Sequence, residues 1–332
     1  MNTIKHFDGA EQFFDICKQL KGKRVGILGH LHPDGDCLGA QIAMHNILIQ
    51  CGAVPLLGLY NDYIASNLRW VSRDYIFTKP EEMATDEYVF VDCSVKLRAG
   101  DFAKKLPMPL LSVDHHISGE RFAHHNFFHP EAAAACEIIA DFLHQKQWEI
   151  SSHTATALYV GMVTDTGKFS YSSTNTRTLF LALQLALHGA DPHRICTEIY
   201  QNEPREKFAL LQRFLASLQF YADGAICIGH VTERDYLETH TTSEDREDFV
   251  DYPRAIRGVR VAVITHYRDG KICVSLRSND PALRLDLLAR KFSGGGHTCA
   301  ASFTIEGIWE KFEKVFINKL RAHLDSFSVK HL

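Results

Sequence analysis

Four short stretches of this chain place carboxylates and imidazoles where they could hold metal ions. Leu28-Gly-His-Leu-His-Pro-Asp-Gly-Asp36 packs His30, Asp34 and Asp36 into one turn, Val-Asp-Cys-Ser offers Asp92, Asp114-His115-His116 offers three groups in a row, and Thr-Asp-Thr-Gly offers Asp165. Mixed imidazole and carboxylate donors suit Mn²⁺, Mg²⁺ or Fe²⁺ better than structural zinc, which recruits thiolates. Four aspartates and two or three histidines exceed the needs of one ion. Two ions about 3.5–4 Å apart, bridged by one carboxylate, would use such a set, and a pair of this kind serves phosphoryl transfer by clamping the attacking and leaving oxygens. Asp92, at the end of what reads as the central strand, is the expected bridge. Cys37 and Cys93 border these motifs and read as packing residues.

These residues need elements to carry them. Residues 25–28 read as a short buried strand and 38–50 as a helix, so the first acidic cluster is expected on a strand-to-helix loop, where open α/β sheets bind ligands. Pro33 should fix the chain direction there, and Gly35 should supply a φ that side chains resist, turning Asp34 and Asp36 to one side. Gly39-Ala40 should let the helix N-terminus approach an anion. Residues 54–60 read as a strand, with Pro55 pointing to an edge position. Residues 88–94 and 110–113 read as strands that deliver Asp92 and Asp114 at their carboxyl ends. One such coincidence is routine; three on one sheet edge are not.

Further along, the periodicity predicts helices over 11–20, 132–145, 153–163 and 175–188, another starting at Pro192 after an Asp191 cap, and a long connecting helix over 204–221. Strands follow at 225–230, 259–267 and 271–276, with an Asp269-Gly270 hairpin turn, then a helix at 281–292, a strand at 300–305 and a closing helix from 308. The expected fold class is α/β: an N-terminal, mostly parallel sheet with flanking helices, plus a smaller C-terminal α/β domain. The expected division is a metal-binding catalytic domain at 1–190, a helical linker at 191–223 and a substrate domain at 224–332.

Composition bounds the partners. With 332 residues, 45% hydrophobic and 23% charged, the chain is long enough for two globular cores. No apolar run approaches the ~18 residues of a membrane span, and residues 1–20 are amphipathic rather than leader-like. Nine scattered cysteines without a Cys-x-x-Cys pair point to a reducing cytoplasm. A net charge of −4 argues against long nucleic acid. Residues 254–291 nevertheless hold nine Lys/Arg against three Asp/Glu, a window fit for a small anionic ligand or a solvated face offset by the acidic run at 244–251.

Taken together, His30-x-x-Pro-Asp34-Gly-Asp36-x-x-Gly39, Asp92 in Val-Asp-Cys-Ser, Asp114-His115-His116, Asp165 in Thr-Asp-Thr-Gly, and Gly294-Gly-Gly-His297 resemble the motifs of the DHH/DHHA1 phosphoesterases, most closely the bacterial oligoribonuclease and 3′-phosphoadenosine 5′-phosphate phosphatase type. The resemblance runs from His30 to about Ser302. It implies that His30, Asp34 and Asp92 hold one divalent cation, and that Asp36, Asp92, His115 and Asp165 hold a second, with Mn²⁺ ahead of Mg²⁺. It implies that His116 faces the substrate phosphate, that Asp114 orients its neighbours, and that Arg98, Arg277, Gly295, Gly296 and His297 meet the substrate. The segment Ala132-Ala-Ala-Ala-Ala-Cys136 departs from the family, whose members commonly carry small hydroxyl residues before the glutamate, here Glu137. The expected substrate is a short oligonucleotide or adenosine 3′,5′-bisphosphate, with cyclic-di-AMP or a linear dinucleotide as the alternative and a homodimer as a possible assembly. A nucleotide-sensing module with a dead site is a reading from another class, disfavoured because every expected ligand is present.

Overall fold

The structure, a computed structural model, describes residues 4–60, 64–117, 119–246, 248–268, 270–296 and 298–328. The chain divides into two compact units, Met1–Asn202 and Glu203–Leu332.

The first unit opens with α1 (Ala10–Gln19), β1 (Arg24–Leu28), α2 (Gly35–Gln50) and β2 (Val54–Gly58). It continues with α3 (Arg69–Ser72), β3 (Phe77–Thr78), β4 (Glu87–Val91), β5 (Leu111–Asp114) and β6 (His125–Phe128), and closes with α4 (Ala135–Gln145), α5 (Ser152–Asp165), α6 (Thr176–Leu187) and α7 (Pro192–Tyr200). All six strands are parallel, in the order β3-β2-β1-β4-β5-β6. β1 and β4 are buried along nearly their whole length, which is why they read as continuous apolar runs. The strand order reverses between them, and the crevice beyond the carboxyl ends at such a switch point is where doubly wound sheets bind ligands. α2 is buried over most of its circumference and packs on α5, so the two helices form the floor of that crevice. Phe13, Phe14, Ile42, Met44 and Phe142 are fully buried beside them, each contributing about 1.5–3 kcal/mol of burial.

The second unit runs α8 (Arg205–Ala216), β7 (Gln219–Tyr221), β8 (Ile226–Val231), α9 (Glu233–Thr239), α10 (Asp251–Arg254), β9 (Val261–Arg268), β10 (Lys271–Arg277), α11 (Leu285–Arg290), β11 (Gly295–Gly296), β12 (Ala300–Glu306) and α12 (Trp309–Ser328). Its mixed sheet has the order β11-β12-β10-β9-β8-β7, with only β8 and β9 parallel.

Several expectations are corrected. The helix expected from residue 38 begins at Gly35, because the Asp34 carboxylate caps it by accepting from the N–H groups of Asp36 and Cys37. Gly35 does not adopt a positive φ. It is needed because a Cβ there would lie 2.3 Å from the Thr164 hydroxyl. At Gly39 helix packing leaves no room for a side chain, since a Cβ would meet the Ala157 carbonyl at 2.3 Å. β2 is not an edge strand, but two-residue β3 pairs only with Leu57–Gly58 and leaves the Pro55 flank without a strand partner. The expected long helix over 204–221 stops at Ala216, and its last residues form β7. The helix expected over 281–292 breaks at Arg284, which sits at φ 48° and leaves α11 only six residues. Asp269, half of the expected hairpin turn, lies outside the described residues.

Candidate metal centre

The carboxyl ends of β1, β4 and β5 and the two floor helices bring six of the expected donors together. His30 follows β1, Asp92 follows β4, His115 follows β5, Asp34 and Asp36 lie at the start of α2, and Asp165 ends α5. Asp92 is buried and holds a left-handed backbone conformation (φ 50°), which Asp tolerates better than most residues and which marks a strained, functional position.

Its two oxygens face different histidines. Asp92 Oδ2 lies 3.3 Å from His30 Nε2, and Oδ1 lies 3.5 Å from His115 Nε2. Around His30 Nε2 stands Asp34 Oδ2 at 3.7 Å, while around His115 Nε2 stand Asp165 Oδ2 at 3.2 Å and Asp36 Oδ2 at 3.8 Å. Most of these separations are long for hydrogen bonds. With metal–N and metal–O bonds near 2.0–2.2 Å, two donors on one ion sit about 3.0–3.5 Å apart, close to these values.

Tautomer chemistry points the same way. Nδ1 of His115 faces the Ala132 carbonyl at 3.3 Å, so the neutral ring donates there and turns the Nε2 lone pair toward three carboxylates. A positive charge at Nε2, a second ring proton or a metal cation, makes that arrangement favourable. His30 Nε2 and Asp92 Oδ1 are buried with no hydrogen-bond partner, a costly state for an isolated polar atom. The donor set therefore fits divalent cations.

Backbone and second-layer contacts hold the donors still. Asp36 is fully buried and accepts from the N–H groups of Ala135 (2.6 Å) and Cys136 (2.9 Å) at the start of α4. Asp36 thus supplies the cap that Ala134 lacks, and no small hydroxyl residue is needed in the alanine run. Glu137, also fully buried, accepts from Ala133 N–H, Arg177 Nε and Thr178 Oγ1, and Arg177 lies over the Phe7 ring. This network fixes the loop whose Ala132 carbonyl orients His115.

Crowding shifts the acids. Burial and the charge of Asp92 push the Asp36 carboxyl up to about 7. Partial burial and the neighbouring carboxylates hold Asp165 well above the ordinary range, outweighing His115. Burial opposes ionisation of Asp92, but contact with His115 and His30 outweighs it and holds the Asp92 carboxyl well below its ordinary value. Burial opposes protonation of His115 as well, and there Asp92, Asp165 and Asp36 win and raise its pKa.

His116 Nδ1 also approaches Asp92 Oδ1, at 3.6 Å, but its hydrogen bonds differ from those of His115. Its Nδ1–H donates to Asp114 Oδ1 at 2.8 Å, and its Nε2 accepts from Arg98 Nη1 at 2.8 Å. Arg98 is thus part of the constellation, half-buried and tied to His116. In the second unit, Arg277 ends β10 opposite Ala300, and Gly296 pairs with Ala301 on the same strand, so β12 brings Arg277 and the glycine run together. A Cβ on Gly296 would lie 2.4 Å from the Ala300 carbonyl. His297 lies outside the described residues. Arg254, Arg260 and Arg284 of the basic window pair with Asp251, Asp280 and Asp286, which reduces its free charge.

Sequence reasoning missed the Glu137–Arg177 pair, separated by 40 residues. Cys37, read as a packing residue, is fully buried, and its sulfur lies within 4.8 Å of donor atoms of His30 and Asp92.

The profile described as "DHH family, N-terminal domain" matches residues 24–162, and the one described as "DHHA1 domain" matches residues 234–324. The chain belongs to the DHH family. A bifunctional oligoribonuclease and PAP phosphatase NrnA from Thermus thermophilus is 26% identical over 301 residues, or 89% of this chain and 87% of its own. An exopolyphosphatase-related protein from Bacteroides fragilis superposes with a TM-score of 0.89 at 23% identity, covering 98% of this chain and 100% of that one. RecJ from Thermus thermophilus in complex with Mn²⁺ shares the fold more distantly, with a TM-score of 0.57 at 15% identity over 97% of this chain and 55% of its own. This DHH chain, with its DHHA1 domain, is a hydrolase acting on phosphoric ester bonds. None of its described helices is long and apolar enough to cross a membrane.

Proposed function

We propose that this phosphoesterase hydrolyses short oligonucleotides and adenosine 3′,5′-bisphosphate at a centre holding two divalent cations, Mn²⁺ ahead of Mg²⁺. The observation that carries the reading is the Asp92 carboxylate, whose two oxygens face two separate imidazoles. His30, Asp34 and Asp92 form one donor set; Asp36, Asp92, His115 and Asp165 form the other. Divalent cations held by these sets supply Lewis-acid polarisation of a phosphoryl oxygen and lower the pKa of water.

The chain's own groups do the rest. Asp114 keeps the His116 proton on Nδ1, so once Arg98 turns away the Nε2 lone pair can take a proton from solvent or the attacking water and pass that proton to the leaving-group oxygen. Arg98 has donors beyond the one spent on His116, and a substrate phosphate arriving beside it would draw the guanidinium toward itself by bidentate pairing. Arrival of the phosphate and release of His116 Nε2 are then one event. Arg277 and the Gly295-Gly296 backbone, with His297, hold the remote part of the substrate.

Short nucleotidic substrates are favoured by the names of the relatives that match across most of the chain and by a basic window partly neutralised by its own carboxylates. The test is a substrate panel in Mn²⁺: RNA dinucleotides, adenosine 3′,5′-bisphosphate, cyclic dinucleotides and pyrophosphate. Fastest turnover of the first two supports the proposal. Preference for cyclic dinucleotides moves the assignment to the alternative, and binding without turnover of any member overturns hydrolysis in favour of sensing.

A further inference from the structure

Beside the first donor set lies a sulfur that no hydrolase role has used. Cys37 lies in the first turn of α2, fully buried, with its N–H held by the Asp34 carboxylate. Its sulfur presses against the backbone of Gly29, where a Cβ would lie 2.1 Å away. A side chain at position 29 would therefore close the space that lets the thiol stand beside His30. An imidazole nitrogen of His30, the Cys37 sulfur and a carboxylate oxygen of Asp92 all lie within 4.8 Å of one another. His30 contributes an independent sign of a missing ligand: its side chain is 8% exposed and its Nε2 has no hydrogen-bond partner. With metal–sulfur bonds near 2.3 Å and metal–nitrogen bonds near 2.0–2.1 Å, sulfur and nitrogen on one tetrahedral ion sit about 3.5 Å apart, inside the 4.8 Å within which these atoms already lie.

We propose that Cys37 completes a nitrogen–sulfur–oxygen donor set with His30 and Asp92, so that this position takes a thiophilic divalent cation through a metal–thiolate bond. The proposal rests on the metal-centre reading above and adds an asymmetry to it. The set built from Asp36, Asp92, His115 and Asp165 offers only nitrogen and oxygen and suits Mn²⁺ or Mg²⁺, whereas sulfur at the His30 position favours softer ions such as Co²⁺ or Zn²⁺. In forming the bond the thiol gives up its proton to solvent and the thiolate donates the electron pair; no oxidant or reductant is involved.

Cobalt(II) titration of the metal-free full chain tests this with optical readouts independent of turnover. Wild type should show visible d–d bands, which report bound cobalt, together with a near-ultraviolet thiolate-to-cobalt charge-transfer band. Cys37→Ser should keep d–d bands, lose the charge-transfer band and bind cobalt at that position about tenfold or more weakly, while Cys93→Ser and Cys136→Ser keep the band. Cys37→Ala, equally small beside Gly29, serves if the serine variant fails to fold. Cobalt bound to wild type without the charge-transfer band, or a band that survives in both Cys37 variants, overturns the role of Cys37 alone. A wild type that binds no cobalt overturns the metal centre itself along with it.

Discussion

Replacing Arg177 with Leu should reach the metal centre through the fold. Arg177 pairs with a glutamate that has no solvent exposure: its Nε donates to Glu137 Oε1 at 3.0 Å, its Nη1 to the Lys5 carbonyl at 3.0 Å and its Nη2 to the Glu131 carbonyl at 3.4 Å. Removing one partner of a buried pair costs about 3–5 kcal/mol, because the other charge is left without compensation. Glu137 keeps the Thr178 hydroxyl and Ala133 N–H, so the lower half of that range applies unless the carbonyls freed at Lys5 and Glu131 add to it. In a unit of about 200 residues, 3–5 kcal/mol corresponds to a Tm lower by roughly 6–20 °C. Glu137 holds the loop that carries the Ala132 carbonyl and the Asp36-binding N–H groups, so Mn²⁺ affinity should fall as well, by about tenfold, typical for loss of a group that orients ligands. Thermal unfolding and calorimetric Mn²⁺ titration read the two effects. The double variant Arg177→Leu with Glu137→Leu should regain part of the stability, because no charge is then stranded. A single variant within about 1 kcal/mol of wild type, or a double variant worse than the sum of the two singles, refutes the argument.

Metal binding should release protons. Asp36, pushed up to about 7, is largely protonated in the cation-free chain below neutrality, and a cation must displace that proton, so Mn²⁺ affinity should fall about tenfold per pH unit below pH 7 for each proton displaced. Calorimetry in buffers of different ionisation enthalpy counts the protons, and an affinity constant between pH 5 and 8 contradicts the reading. The sign for folding is opposite to that of a salt-bridged acid: the folded state binds this proton more tightly, so the Asp36 contribution lowers cation-free stability as pH rises from about 4 to 7. His115→Ala should lower bound metal, whereas His116→Ala should keep the metal and lose rate by about 10²–10⁴; equal metal loss in both variants removes the division of roles. Arg277→Ala should lower kcat/KM for a dinucleotide more than for a small artificial phosphodiester, since remote binding energy also orients the reacting phosphate. An unchanged ratio of the two would sink the substrate-holding role of Arg277.

The strands that deliver His30, Asp92 and Asp114 were legible because parallel strands buried on both faces leave continuous apolar runs, and their carboxyl ends carry polar motifs. β3 was invisible: two residues have no periodicity. β6, His125–Phe128, lies at the sheet edge and has no full apolar run to announce it. α2 begins earlier than its apolar pattern because Gly35 and Asp36 are poor helix formers, and the decisive fact is the Asp34 carboxylate accepting two N–H groups. The need for glycine at positions 35 and 39 comes from atoms of α5 more than a hundred residues away, which no local pattern records. Phe220 and Tyr221 continue an amphipathic pattern, and only pairing with β8 makes them a strand. In the candidate site the donors were readable as types and spacings. The contacts that orient them were not, because Ala132, Glu137 and Arg98 act through a carbonyl, a buried ion pair and a ring nitrogen that only the tertiary fold brings within reach.

The central claim is that Asp92 holds two cations at once, and Asp92→Asn tests it most directly. Asn tolerates the left-handed backbone that Asp92 adopts at φ 50°, so circular dichroism should stay native. The neutral amide offers only one oxygen, and its nitrogen would face either His30 or His115. The bound Mn²⁺ per chain, measured after dialysis against micromolar metal, should drop from two in wild type to one or none, with hydrolysis of dinucleotides abolished. A folded Asp92→Asn chain that still binds two ions and turns over at a near-native rate would contradict the account.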